Sequence, residues 1–289
     1  MITRRHAVAA AATALLLTAA ATLLAGGAAP AAAHSTIAWP RPSRNTDCTD
    51  VPGRSGPGLC TGRGNTACPR TRNPWEAGRN FRRPGAVLRR GQSVTLRYMK
   101  NNHGPVGFVR WSLVPAKLHY DVAAHARFAF WWNCWGSGFR RCHRRGNPRG
   151  CGSDRKKEAW SPRVTIPTSI PDGNYILGFV WYGGGGENFG RLRFAAYWSC
   201  SFVVIRGGRQ TRSWTPRFVP VTGRKDPKLR GGPWQQNNQC LSGVDRLGVC
   251  DKATPACKRR RVTFMKPFEF RGRHRPPPLT TQMYLQARK

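Results

Sequence analysis

The chain has 289 residues, with 49 Lys and Arg against 12 Asp and Glu, and a formal net charge of +37. This charge draws a protein towards polyanions but does not define a fold. Ten cysteines occur without any C-x-x-C pair, which argues against zinc ribbons and thioredoxin-like redox motifs. Acidic residues are scarce, and no carboxylate pair or Ser-His-Asp order stands out, which argues against a hydrolase.

Residues 1–33 have the features of a secretory signal peptide. Two arginines form a basic start, an apolar run follows over residues 7–24, and a stretch of alanines ends at Ala33. Small residues there satisfy the cleavage rule, and the alternative of a membrane anchor is disfavoured because no stop-transfer charges follow the apolar run. We therefore expect a secreted protein that is free of the membrane after cleavage and begins at His34.

The next part of the chain predicts one β-rich domain over residues 34–206. Residues 44–84 and 136–160 are rich in Gly, Arg and Cys, and in an exported chain we expect them to be long loops held by disulfides. Six apolar or alternating runs predict strands, at residues 93–98, 107–114, 127–135, 163–166, 174–181 and 194–205. Short strands separated by Gly, Pro and Asn predict an all-β fold, an antiparallel β-sandwich.

Residues 207–289 differ in composition from the predicted domain. They are basic and proline-rich and contain few apolar runs, so we expect a mostly flexible C-terminal extension. The extension contains three cysteines and the domain seven. Because both numbers are odd, either a disulfide joins the two parts or each part keeps a free thiol.

Two histidines are candidate metal ligands. An N-terminal His34 would offer its α-amine and its ring Nδ1 to one ion, and an α-amine pKa of about 8 makes deprotonation at neutral pH easy. His103 lies in a predicted turn between two strands, where its imidazole would add a third nitrogen. Three nitrogens in a T-shaped set suit Cu(II), whereas zinc prefers tetrahedral sites. The alternative is that cleavage leaves His34 first by coincidence.

The remaining histidines of the mature chain are expected to be ordinary surface or packed residues: His119, His125, His143 and His274.

Together these residues resemble the lytic polysaccharide monooxygenases. The resemblance rests on the N-terminal histidine, on the Asn-His-Gly turn at His103 that leads into GFVRWSLVP, and on the Y-x-x-C spacing of Tyr197 and Cys200. It implies an immunoglobulin- or fibronectin-like sandwich and one copper ion held by His34 and His103, with Tyr197 in the axial position. It further implies a monomeric enzyme that takes electrons from an external donor and uses O₂ or H₂O₂ to cleave a chitin- or cellulose-like polysaccharide oxidatively.

The resemblance leaves the other site residues open. Trp39 and Tyr182 are candidates for stacking on sugar rings, although Trp39 is equally well explained as a core residue. Many fungal members carry a glutamine two residues before the axial tyrosine, where this chain has Ala195. Glu187 and Arg193 are candidate substitutes beside the copper. The sequence selects neither the polysaccharide nor the oxidised position on the sugar.

Two other classes of function remain open. One is a non-catalytic copper- or carbohydrate-binding protein on the same fold, which the alanine at position 195 favours. The other is a secreted polyanion-binding protein, which the basic charge favours. The sequence contains no nucleic-acid-binding motif, so we expect no specific nucleic-acid partner.

Overall fold

The computed structural model describes residues 35–43, 48–50, 67–68, 82–100, 107–141, 158–188, 191–220, 267–270 and 273–288. All of them belong to the unit that spans Ala33–Lys289. The predicted signal peptide, His34 and His103 lie outside the described residues. Within the described ranges, no helix is long and apolar enough to cross a membrane.

The described residues form an all-β fold, as the sequence predicts. The strands are β1 (Ser35–Trp39), β2 (Cys48–Asp50), β3 (Ala86–Leu88), β4 (Ser93–Thr95), β5 (Arg97–Lys100), β6 (Gly107–Pro115), β7 (Ala129–Cys134), β8 (Phe139–Arg141), β9 (Glu158–Trp160), β10 (Arg163–Thr165), β11 (Gly173–Asn188), β12 (Arg191–Ile205), β13 (Ser213–Trp214), β14 (Arg217–Phe218) and β15 (Leu279–Thr280). The helices are α1 (Val122–Arg127) and α2 (Thr281–Gln286), with single 3-10 turns at Ala116–Leu118 and Phe268–Phe270.

The larger sheet is centred on a long hairpin. Its strand order is β14-β7-β6-β11-β12-β2, and β3 also pairs with β12. The hairpin strands β11 and β12 are antiparallel, with Gly173 opposite Ile205 and Gly183 opposite Ala195. Strand β6 lies antiparallel on the other side of β11. The sheet is not wholly antiparallel, because the short strands β3 and β14 join β12 and β7 in parallel.

The smaller sheet has the strand order β1-β5-β9-β8. The run at residues 93–98 was expected to be one strand, but the chain changes partners within it. Strand β4 pairs with β10 in a separate two-stranded sheet, whereas β5 pairs with β1 and β9. Between them the backbone N–H of Leu96 donates to Pro162 O at 3.0 Å, outside either ladder. The alternation of apolar residues continues through this switch, so the sequence pattern does not reveal it.

The two sheets enclose an aromatic core, which makes the fold a sandwich. Tyr98 of the smaller sheet lies with its ring centroid 5.2 Å from Phe179 and 6.1 Å from Trp111, both of the larger sheet. The other fully buried rings of this core include Trp135, Trp160, Trp181, Tyr175 and Phe130. Each aromatic side chain removes about 150–250 Å² from water on burial, so these rings dominate the apolar surface buried between the sheets.

The outer face of the larger sheet is covered by α1 and by a cysteine from the loop predicted at residues 44–84. Helix α1 begins where the Asp121 carboxylate accepts a hydrogen bond from Ala124 N at 3.0 Å, a standard N-cap. Cys68 is joined to Cys200 of β12 by a disulfide. The prediction that disulfides hold this loop is confirmed at Cys68.

The last described segment of the chain packs into the domain. Strand β15 pairs with β13, and Tyr284 of α2 is fully buried, with its ring 4.8 Å from Phe128 and 5.9 Å from Tyr175. At residues 279–288 the structure therefore differs from the expected flexible extension. Two short elements with one buried tyrosine produce no long apolar run, which is why composition did not predict them.

Candidate functional site

The residues that flank the two predicted histidine ligands are paired. Ser35 opens β1 directly after His34, and Lys100 closes β5 three residues before His103. Ser35 and Lys100 are register partners in the antiparallel pair β1–β5. In an antiparallel pair the start of one strand and the end of its partner lie side by side. The chain therefore enters β1 and leaves β5 at the same end of the sandwich.

The third predicted ligand, Tyr197, lies on the inner face of β12. It is 5% exposed, and its ring stacks on Trp181 with centroids 4.8 Å apart and an interplanar angle of 28°. Trp181 is also its register partner on β11. A tyrosine stacked and buried in this way has little rotational freedom, so its ring has a fixed position in the core.

Ser199 ties β1 to the same face of β12. Its Oγ accepts a hydrogen bond from Ile37 N at 3.1 Å and shares a second with Thr36 Oγ1, also at 3.1 Å. Side chains alternate along a strand, so Ser199 and Tyr197 lie on one face of β12. Sequence reasoning missed this serine. The sequence feature that could have identified it is a polar residue at an inward-facing strand position, where the other inward-facing residues of the strand are aromatic or apolar.

The segment that contains His103 is bounded at both ends by described strands. It leaves β5 at Lys100 and enters β6 at Gly107, which is the register partner of Gly183 on β11. We call the end of the sandwich where β5 ends and β6 begins the site end. Tyr197 lies close to it, because its partner Trp181 is two residues before Gly183.

The two residues expected beside the copper lie in the β11–β12 hairpin. The backbone register continues past Gly183, with Arg193 opposite Gly186 and Glu187 opposite Leu192. Both positions are thus farther along the hairpin than Tyr197, towards its turn. The position of Ala195 is opposite Gly183, two residues before Tyr197 on the same strand.

The two aromatic residues expected at the substrate surface lie in different places. Trp39 is half-buried and packs against the main core at the far end of β1, where its register partner is Arg97. Tyr182 is also half-buried, but it lies on the outer face of the larger sheet, opposite to the face that carries Tyr197. The guanidinium carbon of Arg110 lies 5.2 Å from the centroid of the Tyr182 ring.

A buried polar group lies on that outer face. His125 is fully buried; its Nε2 lies 2.9 Å from the carbonyl oxygen of His119 and its Nδ1 lies 2.7 Å from Ser112 Oγ. A carbonyl only accepts, so Nε2 carries the proton and Nδ1 accepts from the serine hydroxyl. Burial lowers the pKa of His125 to about 3, and the nearby Arg110 charge acts in the same direction. His125 is a neutral packed residue, as expected.

A second arrangement looks like a metal site by distance alone. Donor atoms of Cys68, His119 and Cys200 lie within 4.8 Å of one another. The two sulfurs are joined in a disulfide and so provide no thiolate, which is the form of cysteine that binds metals. Burial also lowers the pKa of His119 to about 4. We assign no metal to these residues.

No known protein-family description matches the chain, and no curated protein matches it. Among solved structures, an AA10 lytic polysaccharide monooxygenase from Streptomyces lividans is similar to it, with a TM-score of 0.26 and 17% sequence identity. The match covers 41% of this chain and 58% of that chain, so it spans little more than half of the other protein. A likeness this weak assigns neither a family nor an activity.

Proposed function

We propose that the mature protein is a secreted, copper-dependent monooxygenase that cleaves a polysaccharide of the chitin or cellulose class by oxidation. It would take electrons from an external donor, use O₂ or H₂O₂, and act as a monomer. The observation that carries the proposal is the pairing of Ser35 with Lys100. This pairing supports a site in which His34 and His103 approach one another from a shared strand end.

The donor set suits copper. The α-amine and ring of His34, with the ring of His103, would provide three nitrogens, a set that favours Cu(II) in tetragonal geometry. Tyr197 would be the axial residue. Copper held in this way supplies the one-electron and oxygen chemistry needed to hydroxylate a C–H bond beside a glycosidic linkage.

The strands around the site would fix the geometry of its ligands. Chain ends usually fray unless they are tied down. Strand β1 is tied on both sides, by its ladder with β5 and by the hydrogen bonds of Ser199 to Thr36 and Ile37. This anchoring supports a terminal amine held in one position. A metal site needs such rigidity, because ligands must lie within about 0.5 Å of the productive geometry.

The roles of four further residues remain part of the proposal. Glu187 or Arg193 would lie beside the copper and would orient the oxidant by hydrogen bonding. Trp39 and Tyr182 would contact sugar rings. For Tyr182, the half-buried ring and the adjacent Arg110 guanidinium are compatible with sugar contact from the outer face. Alanine at either aromatic position would reduce binding to the insoluble glycan without reducing copper affinity.

A product screen tests the proposed function. The copper-loaded mature protein is incubated with a reductant, O₂ or H₂O₂, and chitin, cellulose, mannan or xylan, and oxidised chain ends are sought by mass spectrometry. We expect oxidised oligosaccharides from one of these glycans. His103→Ala should abolish them by removing an equatorial nitrogen, whereas Tyr197→Phe, which keeps the stacked ring, should change the rate without abolishing activity.

The second candidate is a non-catalytic copper- or carbohydrate-binding protein. It is favoured by Ala195, which offers no hydrogen-bonding side chain where many fungal members have glutamine. The same screen separates the two functions. Tight binding of copper and glycan with no oxidised product from either oxidant would support the non-catalytic protein and contradict the enzyme.

A further inference from the structure

The end of the sandwich opposite the site end is built from four chain segments, which we call the basic pole. The segments are residues 88–92, 166–173, 205–214 and 279–288. Backbone hydrogen bonds join them: Arg206 N to Leu88 O at 2.9 Å, Gly91 N to Ile166 O at 2.9 Å, Thr211 N to Thr168 O at 3.0 Å and Thr281 N to Arg212 O at 3.0 Å. The pole is therefore a hydrogen-bonded part of the fold with defined geometry.

The pole carries six arginines and a single acidic residue, Asp172, which gives a formal net charge of +5. The carboxylate of Asp172 is already engaged, because it pairs with Arg90 and accepts a hydrogen bond from Gly207 N at 3.0 Å. Arg288 donates to the backbone oxygen of Asp172 at 2.5 Å and lies 5.1 Å above the ring of Tyr175. Two of the six arginines are thus held by the protein itself.

The other four arginines are exposed: Arg89, Arg206, Arg209 and Arg212. None of their side chains has a hydrogen bond or an ion pair with another described residue. Clustered like charges repel one another, and an external anion relieves that repulsion. Guanidinium groups bind carboxylate, sulfate and phosphate through paired N–H donors. Four of them on linked segments match a polymer that carries many anionic groups.

We infer that the basic pole binds an anionic polysaccharide through its carboxylate or sulfate groups. A polysaccharide fits better than a single-stranded nucleic acid, which is held largely by aromatic rings that stack on bases. No aromatic ring among the described residues of the pole is fully exposed. Tyr175 and Tyr284 are buried, and the half-buried Trp214 has the Arg217 guanidinium carbon 5.2 Å from its ring centroid.

The pole is distant from the proposed copper site. Strand β11 runs from Gly173 at the pole to Gly183 at the site end, and ten residues at about 3.3 Å each span about 33 Å. A polymer bound at the pole therefore leaves the site end uncovered. The inference needs only the described arginines and does not depend on the proposed function.

The test compares two variants of the full mature chain that lose the same charge. The pole variant carries Arg89→Gln, Arg206→Gln, Arg209→Gln and Arg212→Gln. The control variant carries Arg41→Gln, Arg82→Gln, Arg83→Gln and Arg273→Gln, at exposed positions outside the four pole segments. Thermal unfolding of both confirms that each is folded before binding is compared.

Binding is measured against heparin for sulfate, polygalacturonate for carboxylate, duplex DNA for phosphate and a neutral soluble glycan, over a range of salt concentrations. We expect the pole variant to bind at least one anionic glycan about tenfold or more weakly than wild type. In the pole variant the slope of log Kd against log salt concentration should be lower than in wild type by about three. In the control variant Kd should differ from the wild-type value by less than about threefold. A third variant with lysine at the four pole positions keeps the charge and should bind with intermediate affinity.

Two results would overturn the inference. Equal weakening in the pole and control variants would mean that binding follows overall charge and has no defined location. Tighter binding of duplex DNA than of both anionic glycans, lost in the pole variant alone, would replace the polysaccharide with a nucleic acid.

Discussion

Ser35 and Lys100 are register partners across the antiparallel pair β1–β5. One is the residue after His34 and the other lies three residues before His103. This single pairing connects two parts of the chain that the sequence separates by about 70 residues. It places the start of β1 and the end of β5 at one end of the sandwich, and β1 also contacts β12, the strand that carries Tyr197.

The hydrogen bonds of Ser199 should matter for copper as well as for stability. Ser199→Ala removes its bonds to Thr36 and Ile37 and should reduce the free energy of unfolding by about 1–3 kcal/mol. Because β1 would be held less firmly, copper affinity should fall about tenfold. Ser201→Ala is the matched control, since its Oγ donates to Arg41 O away from the start of β1. Equal losses of copper affinity in both variants would contradict the anchoring role of Ser199.

Gly178 should be required by the histidine packed beside it. A Cβ at this position would collide with the His125 ring and with Ser112 Oγ. Gly178→Ala should therefore cost about 1–3 kcal/mol of stability, measured by chemical denaturation. In a His125→Ala background the same change should cost less, because the ring is gone and only the contact with the Ser112 hydroxyl remains. An unchanged cost in that background would place the clash elsewhere.

Stability should decline as the pH falls below about 6.5. The pKa of His125 is lowered to about 3 and that of His119 to about 4, so both stay neutral in the folded protein while the unfolded chain takes up protons. The unfolded state binds more protons between these values and 6.5, so each histidine lowers stability by up to about 1.4 kcal/mol per pH unit of acidification.

The measurement is the free energy of unfolding from pH 7 to about pH 5, above the range in which most carboxylates titrate. His125→Gln should reduce the slope of the free energy of unfolding against pH by up to about 1.4 kcal/mol per pH unit, which corresponds to one proton. A variant with the wild-type slope would show that another group is responsible.

The packed end of the chain should contribute to stability. Tyr284 is fully buried against Phe128 and Tyr175, so Tyr284→Ala should cost about 3–5 kcal/mol. Leu285 on the same helix is 42% exposed, and Leu285→Ala should cost less than about 0.5 kcal/mol. Limited proteolysis that removed Tyr284 without lowering the unfolding temperature would show that α2 is dispensable.

Periodicity predicted the longest strands because they carry a clear apolar face, but it did not predict the shorter strands β1, β2, β3, β8, β9, β13, β14 and β15. Strands β6, β11 and β12 fall where alternating or apolar runs are long. The same reasoning missed α1, whose six residues are too few for a helical period, and the sheet change at Leu96, where alternation continues. It also missed α2, which is specified by the burial of one tyrosine. Short elements depend on tertiary contacts, and local patterns do not encode those contacts.

The sequence proposes the candidate site residues, but it does not reveal the residues that support the strands around them. An N-terminal histidine at a predicted cleavage site and a Y-x-x-C spacing are local features of the sequence. Of the three predicted ligands the structure describes Tyr197, whose ring is buried and stacked on Trp181. The role of Ser199 depends on which strand lies opposite it. So does the location of Tyr182 on the outer face. Both facts follow from sheet topology, which residue spacing alone does not determine.

Copper binding by a protein that begins at His34 tests the central claim most directly. The mature protein and a variant with one alanine added before His34 are titrated with Cu(II), and the bound ion is examined by electron paramagnetic resonance. We predict one tightly bound ion with a nitrogen-rich tetragonal spectrum in the mature protein. The extended variant should bind far more weakly, because its amine at His34 becomes a non-basic amide. Equal affinity and an identical spectrum in the two proteins would contradict the histidine brace.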